Sequence, residues 1–480
     1  MLPALLAALV RVQGAAGAST GSDALGQFLA AMGVLRGGPW VPPNPEGGHS
    51  LWLWASPLLP LAPDLSGLMR LRGLQSALIA PFAGAAAALL SPRRPAQAAL
   101  AAGVVVAVDP GLQDTFLVAF RGYGAPELSA LSALGLAAGL RGRAWGPTLA
   151  ALAAVAALGQ HPMAAGLLLG LLLAGPDLVA AAGKRSAVVA LGLTSITLIP
   201  RVLTLYAQAS CGAGALACLA AVAHSSSEPG LGMGPMLLRA LHDRVLVDLG
   251  GEWSVLWLGV ALGPALLSPK DRADRGLLLY ALGATLGVLA LGLTVDSLRP
   301  YHLRALAGPL AVLGAVGLSR APGLGLLWAL GCGVLLARPP LPVDPGGPAR
   351  ADRLAALIAP LPGPLRVEAA WFNGPVGLEP APIVLSAVLQ GQDPARFKAK
   401  GAAGLVLLCS GEAVQPPPSP GRLLWAEAGA RAIAFERLDE AAAWLGAHPT
   451  PPGQVGGALD WVKALQPDDP EVEPWSSTAP

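Results

Sequence analysis

The sequence predicts an all-α polytopic membrane bundle of about eleven transmembrane helices, N-terminus in and C-terminus out, followed by a small α/β extracytoplasmic domain. Three observations lead there. Hydrophobic residues make up 54% of the chain and charged residues only 12%, about half the charged fraction of an ordinary soluble domain. Apolar runs of near-spanning length recur from the N-terminus to about Leu336. The connectors between them alternate in charge, and the chain changes character after the last run.

The first run, "MLPALLAALVRVQGAAGAS", ends in small residues as a secretory signal does. It lacks a basic segment before its apolar core, however, and Arg11 interrupts that core. It is therefore read as an uncleaved first span. Further runs centre near Ile79, Val104, Leu131, Ala151, Leu168, Leu193, Val260, Leu286, Leu310 and Leu330. Five connectors are short and basic: "SPRRP" from Ser91, "RGRAW" from Arg141, "GKRS" from Gly183, "SPKDRADR" from Ser268 and "SRAPG" from Ser319. Counted from an inside N-terminus, all five fall inside, as the positive-inside bias requires. The others are longer, carry acids, histidines and tryptophans, and fall outside.

An odd number of spans leaves the remainder of the chain outside too. The membrane part is thus 1–340 and a small α/β lobe is 341–465, where "LRVEAAWF", "GLVLLC" and "RAIAFERLDEAAAWLGA" interleave strand-like and helix-like patterns. Residues 466–480, polar and Pro-rich, read as a disordered tail.

A net charge of +2, with basic residues in short clusters rather than stripes, argues against a nucleic-acid partner. The Ala, Gly and Pro content and the excess of Arg over Lys fit a GC-rich bacterial genome, hence a multi-pass protein of the inner (plasma) membrane. Cys211 and Cys218 share an outer loop. They would pair there if that side is oxidising, or remain two separate small residues if the segment is helical, which sets them two turns apart.

The first outer loop, 19–64, runs about 45 residues, beyond ordinary connection length and therefore functional in character. "DALGQFLAAMGVLRGG" sets Leu25, Phe28, Leu29 and Met32 at helical spacing, an interfacial amphipathic helix. A turn-rich stretch with Glu46 and His49 follows, then Trp52 and Trp54, which suit an interface. "LMRLRGLQSAL" brings Arg70 and Arg72 to the outer end of the second span.

This order resembles the GT-C class of polytopic glycosyltransferases, above all its protein mannosyltransferase and aminoarabinose transferase branch. The resemblance rests on a first span ending in an Arg-containing segment, an early loop acid with a short helix and Gly stop, and a Gly-His stretch running into aromatic and Pro-rich residues. "DSLRPYHLRALAGPLAVLGAVGL" from Asp296 is similar to a late segment of that class, and many members carry a soluble lobe after the last span. It implies a donor sugar on a polyprenyl phosphate and an acceptor (lipid, glycan or protein) arriving from the outer face among membrane lipids. Asp23 matches the loop acid that accepts the acceptor's proton during inverting transfer, since a hydroxyl is a poor nucleophile until a base takes its proton. Many relatives have Asp-Glu there, whereas this chain has Asp23-Ala24. The other reading of Asp23 is a helix N-cap.

A lipid-phosphate leaving group needs cations at the outer face. Arg299 and Arg304, with His302 between them, and Arg70 are the candidates, Arg because it offers bidentate contacts to phosphate oxygens. Snorkelling at a span end is the other fate of each arginine. Asp109 and Asp114, with His49, are candidates to orient the acceptor or a divalent metal, which part of the class binds through a second-loop acid. As plain chemistry, the two aspartates also read as solvated turn acids. No cofactor is certain, and no metal ligands are assigned. A transporter or flippase is the competing class, but the ionisable residues gather at span ends rather than mid-membrane. A catalytically inactive cell-envelope scaffold is the third reading, prompted by Ala24.

Overall fold

The computed structural model describes residues 2–15, 56–109, 112, 125–160, 162–208, 235, 238, 255–294, 303–321, 323–336, 347–370, 380–397, 402, 404–410, 421–427 and 430–447. Twelve helices among these form the bundle: α1 (Leu2–Gly14), α2 (Leu65–Ser76), α3 (Ile79–Leu90), α4 (Pro95–Val108), α5 (Ala125–Leu140), α6 (Gly146–Gln160), α7 (Ala165–Ala182), α8 (Lys184–Gln208), α9 (Val255–Leu262), α10 (Arg272–Thr294), α11 (Ala307–Leu318) and α12 (Leu324–Leu336). All eleven centres expected from the sequence fall inside one of these helices. Three stretches are long and apolar enough to cross a membrane: Leu65–Leu90, Ala165–Ala182 and Arg272–Leu291. Six more apolar helices are shorter.

The stretch Leu65–Leu90 joins α2 and α3 across a break at Ala77–Leu78. Pro81 explains the break: it has no N–H to give the Ala77 carbonyl, which instead accepts the Ala80 N–H at 3.2 Å in a tighter turn.

Small residues bring the helices together. Gly166 and Gly170 of α7 lie against Gly287 and Gly283 of α10 in antiparallel order, and a Cβ on Gly283 would sit 2.8 Å from the Gly170 Cα. Gly135 of α5 abuts Gly146 and Ala150 of α6 in the same way. Backbones can approach this closely only where side chains are nearly absent, which is how helices associate without a hydrophobic driving force in lipid.

After the bundle come α13 (Gly347–Ile358), β1 (Leu365–Ala370), α14 (Pro380–Leu389), β2 (Gly404–Ser410), β3 (Arg422–Glu427), β4 (Ala430–Phe435) and α15 (Leu438–Ala447). The sheet runs β1-β2-β4-β3, with β1 and β2 parallel around the α14 crossover and β4 antiparallel to both of its neighbours. The period-two alternation of β2 sends Val406 and Leu408 toward α13 and α14, and Leu405, Leu407 and Cys409 toward α15. There Phe435 and Trp444 meet in a tilted pair, ring centroids 5.9 Å apart. The α/β pattern expected of this region is thus present as a sheet with helices on both faces.

The core under α13 and α14 does not stop at the lobe. It continues into Leu59, Leu65, Leu68 and Met69 at the start of α2. The lobe therefore sits on the bundle end where α2 begins.

Candidate functional site

The two ends of the bundle differ in chemistry. At one end the five basic connectors meet one another. Arg94 donates to the carbonyls of Ser319 and Arg320 at 3.1 and 3.2 Å, and the Ser91 and Ser319 hydroxyls are 3.0 Å apart. Arg141 donates to the carbonyls of Leu89 and Leu90, closing the last turn of α3. Asp274 pairs with Arg320 and accepts the Ser268 N–H, while Asp177 pairs with Arg275 at 2.5 Å. Cations are suited to helix C-termini, where unpaired carbonyls carry the negative end of the dipole.

The opposite end carries the lobe, the last turn of α1, the start of α2, the end of α4, the start of α5 and the turn before α11. Arg72 of α2 is buried there against Glu127 of α5, with Nη2 3.1 Å from Oε1 and Nη1 donating to Gln75 Oε1 at 2.7 Å. Both side chains are under 5% exposed. Arg11 of α1 is buried beside them and reaches the Val106 carbonyl at 3.4 Å. Glu127 lies in the first turn of α5, where the helix dipole also favours its charge. The pair ties α2 to α5 at the end of the bundle that carries the lobe.

Beside this cluster an apolar groove of about 550 Å³ runs between α4, α10 and α11, lined by Val105, Leu278, Leu282, Leu306 and Leu310 among others. The one carboxylate among its described lining residues is Asp109, which ends α4 and is 1% exposed. One oxygen of Asp109 accepts the Leu112 N–H at 3.1 Å, a turn-closing bond. Asp109 is thus a buried turn acid, not a solvated one. Leu303 and Leu306 line the groove on either side of Arg304, so the Arg304 turn borders it too. The geometry offers a hydrocarbon-lined slot with a carboxylate in its described lining and, next to it, the turn that carries Arg304. That arrangement suits an amphiphile with an anionic head.

The sequence candidates divide accordingly. Asp109 lines the groove, and Arg304 lies in the turn whose neighbours Leu303 and Leu306 line it. Arg70 does not join them: it is exposed on α2, on the face away from Arg72. Asp23, His49, Asp114, Arg299, His302, Cys211 and Cys218 lie outside the described residues. No group of three His, Cys, Asp or Glu residues gathers among the described residues. The pair formed by Glu127 and Arg72 was not singled out from sequence, and its only local signal is two charges at the ends of apolar runs.

No protein-family model matches the chain, and no curated protein matches it in sequence. Solved structures do. The crystal structure of ArnT from Cupriavidus metallidurans bound to undecaprenyl phosphate superposes with a TM-score of 0.54 at 12% identity, covering 90% of this chain and 97% of that one. The apo form of the same ArnT gives the same values. The chain is therefore an integral membrane protein with the fold of ArnT, a GT-C architecture of the kind its sequence resembles.

Proposed function

We propose that the protein is a membrane glycosyltransferase that moves a sugar from a polyprenyl-phosphate donor to an acceptor on the outer face of the membrane. The observation that carries this is the groove, apolar along its length and edged by Asp109 and the Arg304 turn, in a chain with the fold of ArnT. The five basic connectors at the opposite end assign that end to the cytoplasm by the positive-inside rule. The lobe and the 19–64 loop are then extracytoplasmic.

In this reading the polyprenyl chain lies along Leu278, Leu282 and Leu310, and its phosphate faces Arg304, with Arg299 and His302 from the same segment as further cations. Asp23 takes the proton from the acceptor hydroxyl. The freed oxygen attacks the anomeric carbon from the face opposite the phosphate, forming the new glycosidic bond. The carbon–oxygen bond to phosphate breaks with its electron pair going to the departing polyprenyl phosphate, and configuration inverts. Guanidinium groups at the groove mouth stabilise that developing charge. Asp109 and Asp114, with His49, orient the acceptor hydroxyl.

The test is reconstitution with a polyprenyl-phosphate sugar and candidate acceptors. Asp23→Asn is expected to lower turnover by about 10²–10⁴, the usual worth of a general base. Arg304→Ala is expected to weaken donor binding and turnover together. Transfer that survives Asp23→Asn undiminished removes Asp23 as the base. Vesicle uptake of solute with no transfer to any acceptor overturns the enzyme in favour of a transporter.

A further inference from the structure

A second apolar groove, of about 720 Å³, lies at the basic end, between α6 and α8. Trp145, Leu149 and Leu152 form one wall, and Arg185, Ser186 and Val189 the other. The spacing is one helical turn on each wall, so both rows run along their helix axes. The groove therefore has polarity. Its outer end holds an indole, a guanidinium and a hydroxyl, and hydrocarbon follows for about 10 Å along α6.

Charge at the polar end is unbalanced. Arg143, Lys184 and Arg185 are exposed and have no ion-pair partner among the described residues: Asp177 and Asp274 are taken by Arg275 and Arg320, and Asp271 accepts the Ala273 and Asp274 N–H groups at the start of α10. Lys184, Arg185 and Ser186 also form the first turn of α8, whose amides point the same way. Trp145 is 52% exposed. On the lipid side α8 presents Val188, Leu191 and Ile196 outward, all more than 60% exposed. The groove thus opens toward hydrocarbon along its length and toward headgroups at its cationic end.

We propose that this groove is a binding site for an anionic phospholipid, with one acyl chain against Leu149, Leu152 and Val189 and the headgroup phosphate at Arg185 and the first turn of α8. Charge complementarity selects the occupant. Three cations without acids favour an anionic over a zwitterionic headgroup, and the apolar wall favours a membrane lipid over a free anion. The site lies at the end opposite the proposed transfer site, so it stands whether or not transfer is observed.

The experiment uses the full chain, delipidated in detergent and offered equal amounts of phosphatidylglycerol and phosphatidylcholine, with bound lipid read by native mass spectrometry. Wild type is expected to retain phosphatidylglycerol in preference. Arg185→Gln should lower that retention about five-fold, the effect of one cation at an anionic surface, and leave phosphatidylcholine unchanged. Leu149→Trp, which fills the apolar wall, should lower retention of both. Lys270→Gln, at the same end of the bundle but outside the groove, should change neither. Equal retention of the two lipids by wild type overturns the proposal. So does an Arg185→Gln profile that matches Lys270→Gln, or undiminished retention in Leu149→Trp. An unchanged melting temperature in Arg185→Gln separates lost binding from lost folding.

Discussion

Arg70 and Arg72 stand two positions apart, and on an α-helix that turns their side chains about 200° from each other. Arg70 stays exposed while Arg72 is buried on Glu127. The ion pair is costly to desolvate, so its value lies in the penalty for breaking it rather than in its own net gain. Arg72→Met should destabilise the bundle by about 3–5 kcal/mol because it leaves Glu127 buried without its cation. Adding Glu127→Met should recover most of that loss, which a double-mutant cycle on thermal unfolding in detergent would measure. Sequence shows both charges, but their pairing crosses 55 positions and depends on how α2 and α5 pack. For the same reason Asp109 reads either as an acid that orients the acceptor or a metal or as a solvated turn acid until its burial is known. A second titratable group lies in the lobe. Burial, partly opposed by Arg366 at 2.7 Å, raises the Glu368 carboxyl above its ordinary 4.5. An acid whose folded pKa is raised binds its proton more tightly folded than unfolded, so its contribution favours the folded lobe at low pH. That contribution falls as pH rises from about 4.5 through the raised value. Glu368→Gln should flatten this part of the lobe's stability–pH curve, as denaturation midpoints between pH 4 and 7 would report.

The helices were legible from apolar runs and Pro or charge punctuation, because that signal lies in each segment by itself. Their contacts were not. The break between α2 and α3 has a local cause in Pro81, yet the run through it is continuous in hydropathy and reads as one span. The seam between α7 and α10 is written in "GLLLG" and "GATLG", small residues four apart, but only their meeting across 113 positions, from Gly170 to Gly283, makes them an interface. Gly283→Leu forces the two backbones apart, since the added carbon falls 2.8 Å from the Gly170 Cα. A loss of about 1–3 kcal/mol is expected, seen as a lower melting temperature in detergent. Gly175, on α7 but with open space around it, supplies the control: Gly175→Leu should leave the melting temperature within a degree or two.

At the scale of the whole molecule, the alternating connector charges foretold two chemically distinct ends, and the interleaved strand-like and helix-like patterns foretold the small sheet with its helices. How the lobe attaches depends on a residue with no motif around it. Asp352 of α13 accepts the N–H groups of Leu65 and Ser66 at 2.8 and 3.0 Å, and the hydroxyls of Ser66 and Ser386 at 2.5 Å each. It thereby caps the first turn of α2 from a distance of 287 positions, while Asp64 caps Gly67 locally at 2.7 Å. A carboxylate at a helix N-terminus satisfies orphan amides and favours the dipole at once. Asp352→Ala would leave two amides and two hydroxyls without their acceptor, a loss of about 3 kcal/mol concentrated at the junction. Asp352→Asn keeps one acceptor oxygen and should fall between. The expected outcome is faster hydrogen exchange at Leu65 and Ser66 and earlier protease cutting near residues 56–66, with exchange in α7 and α10 unchanged. If apolar contact of Leu68 and Met69 with Leu354 and Ile358 were enough to seat the lobe, Asp352→Ala would leave exchange at Leu65 as it is in wild type and only Leu354→Ala would raise it. The two variants therefore distinguish a lobe held by a charged cap from one held by burial. In the first case, because α2 begins at Leu65, where the 19–64 loop ends, Asp352→Ala should also reduce the proposed transfer without touching the groove.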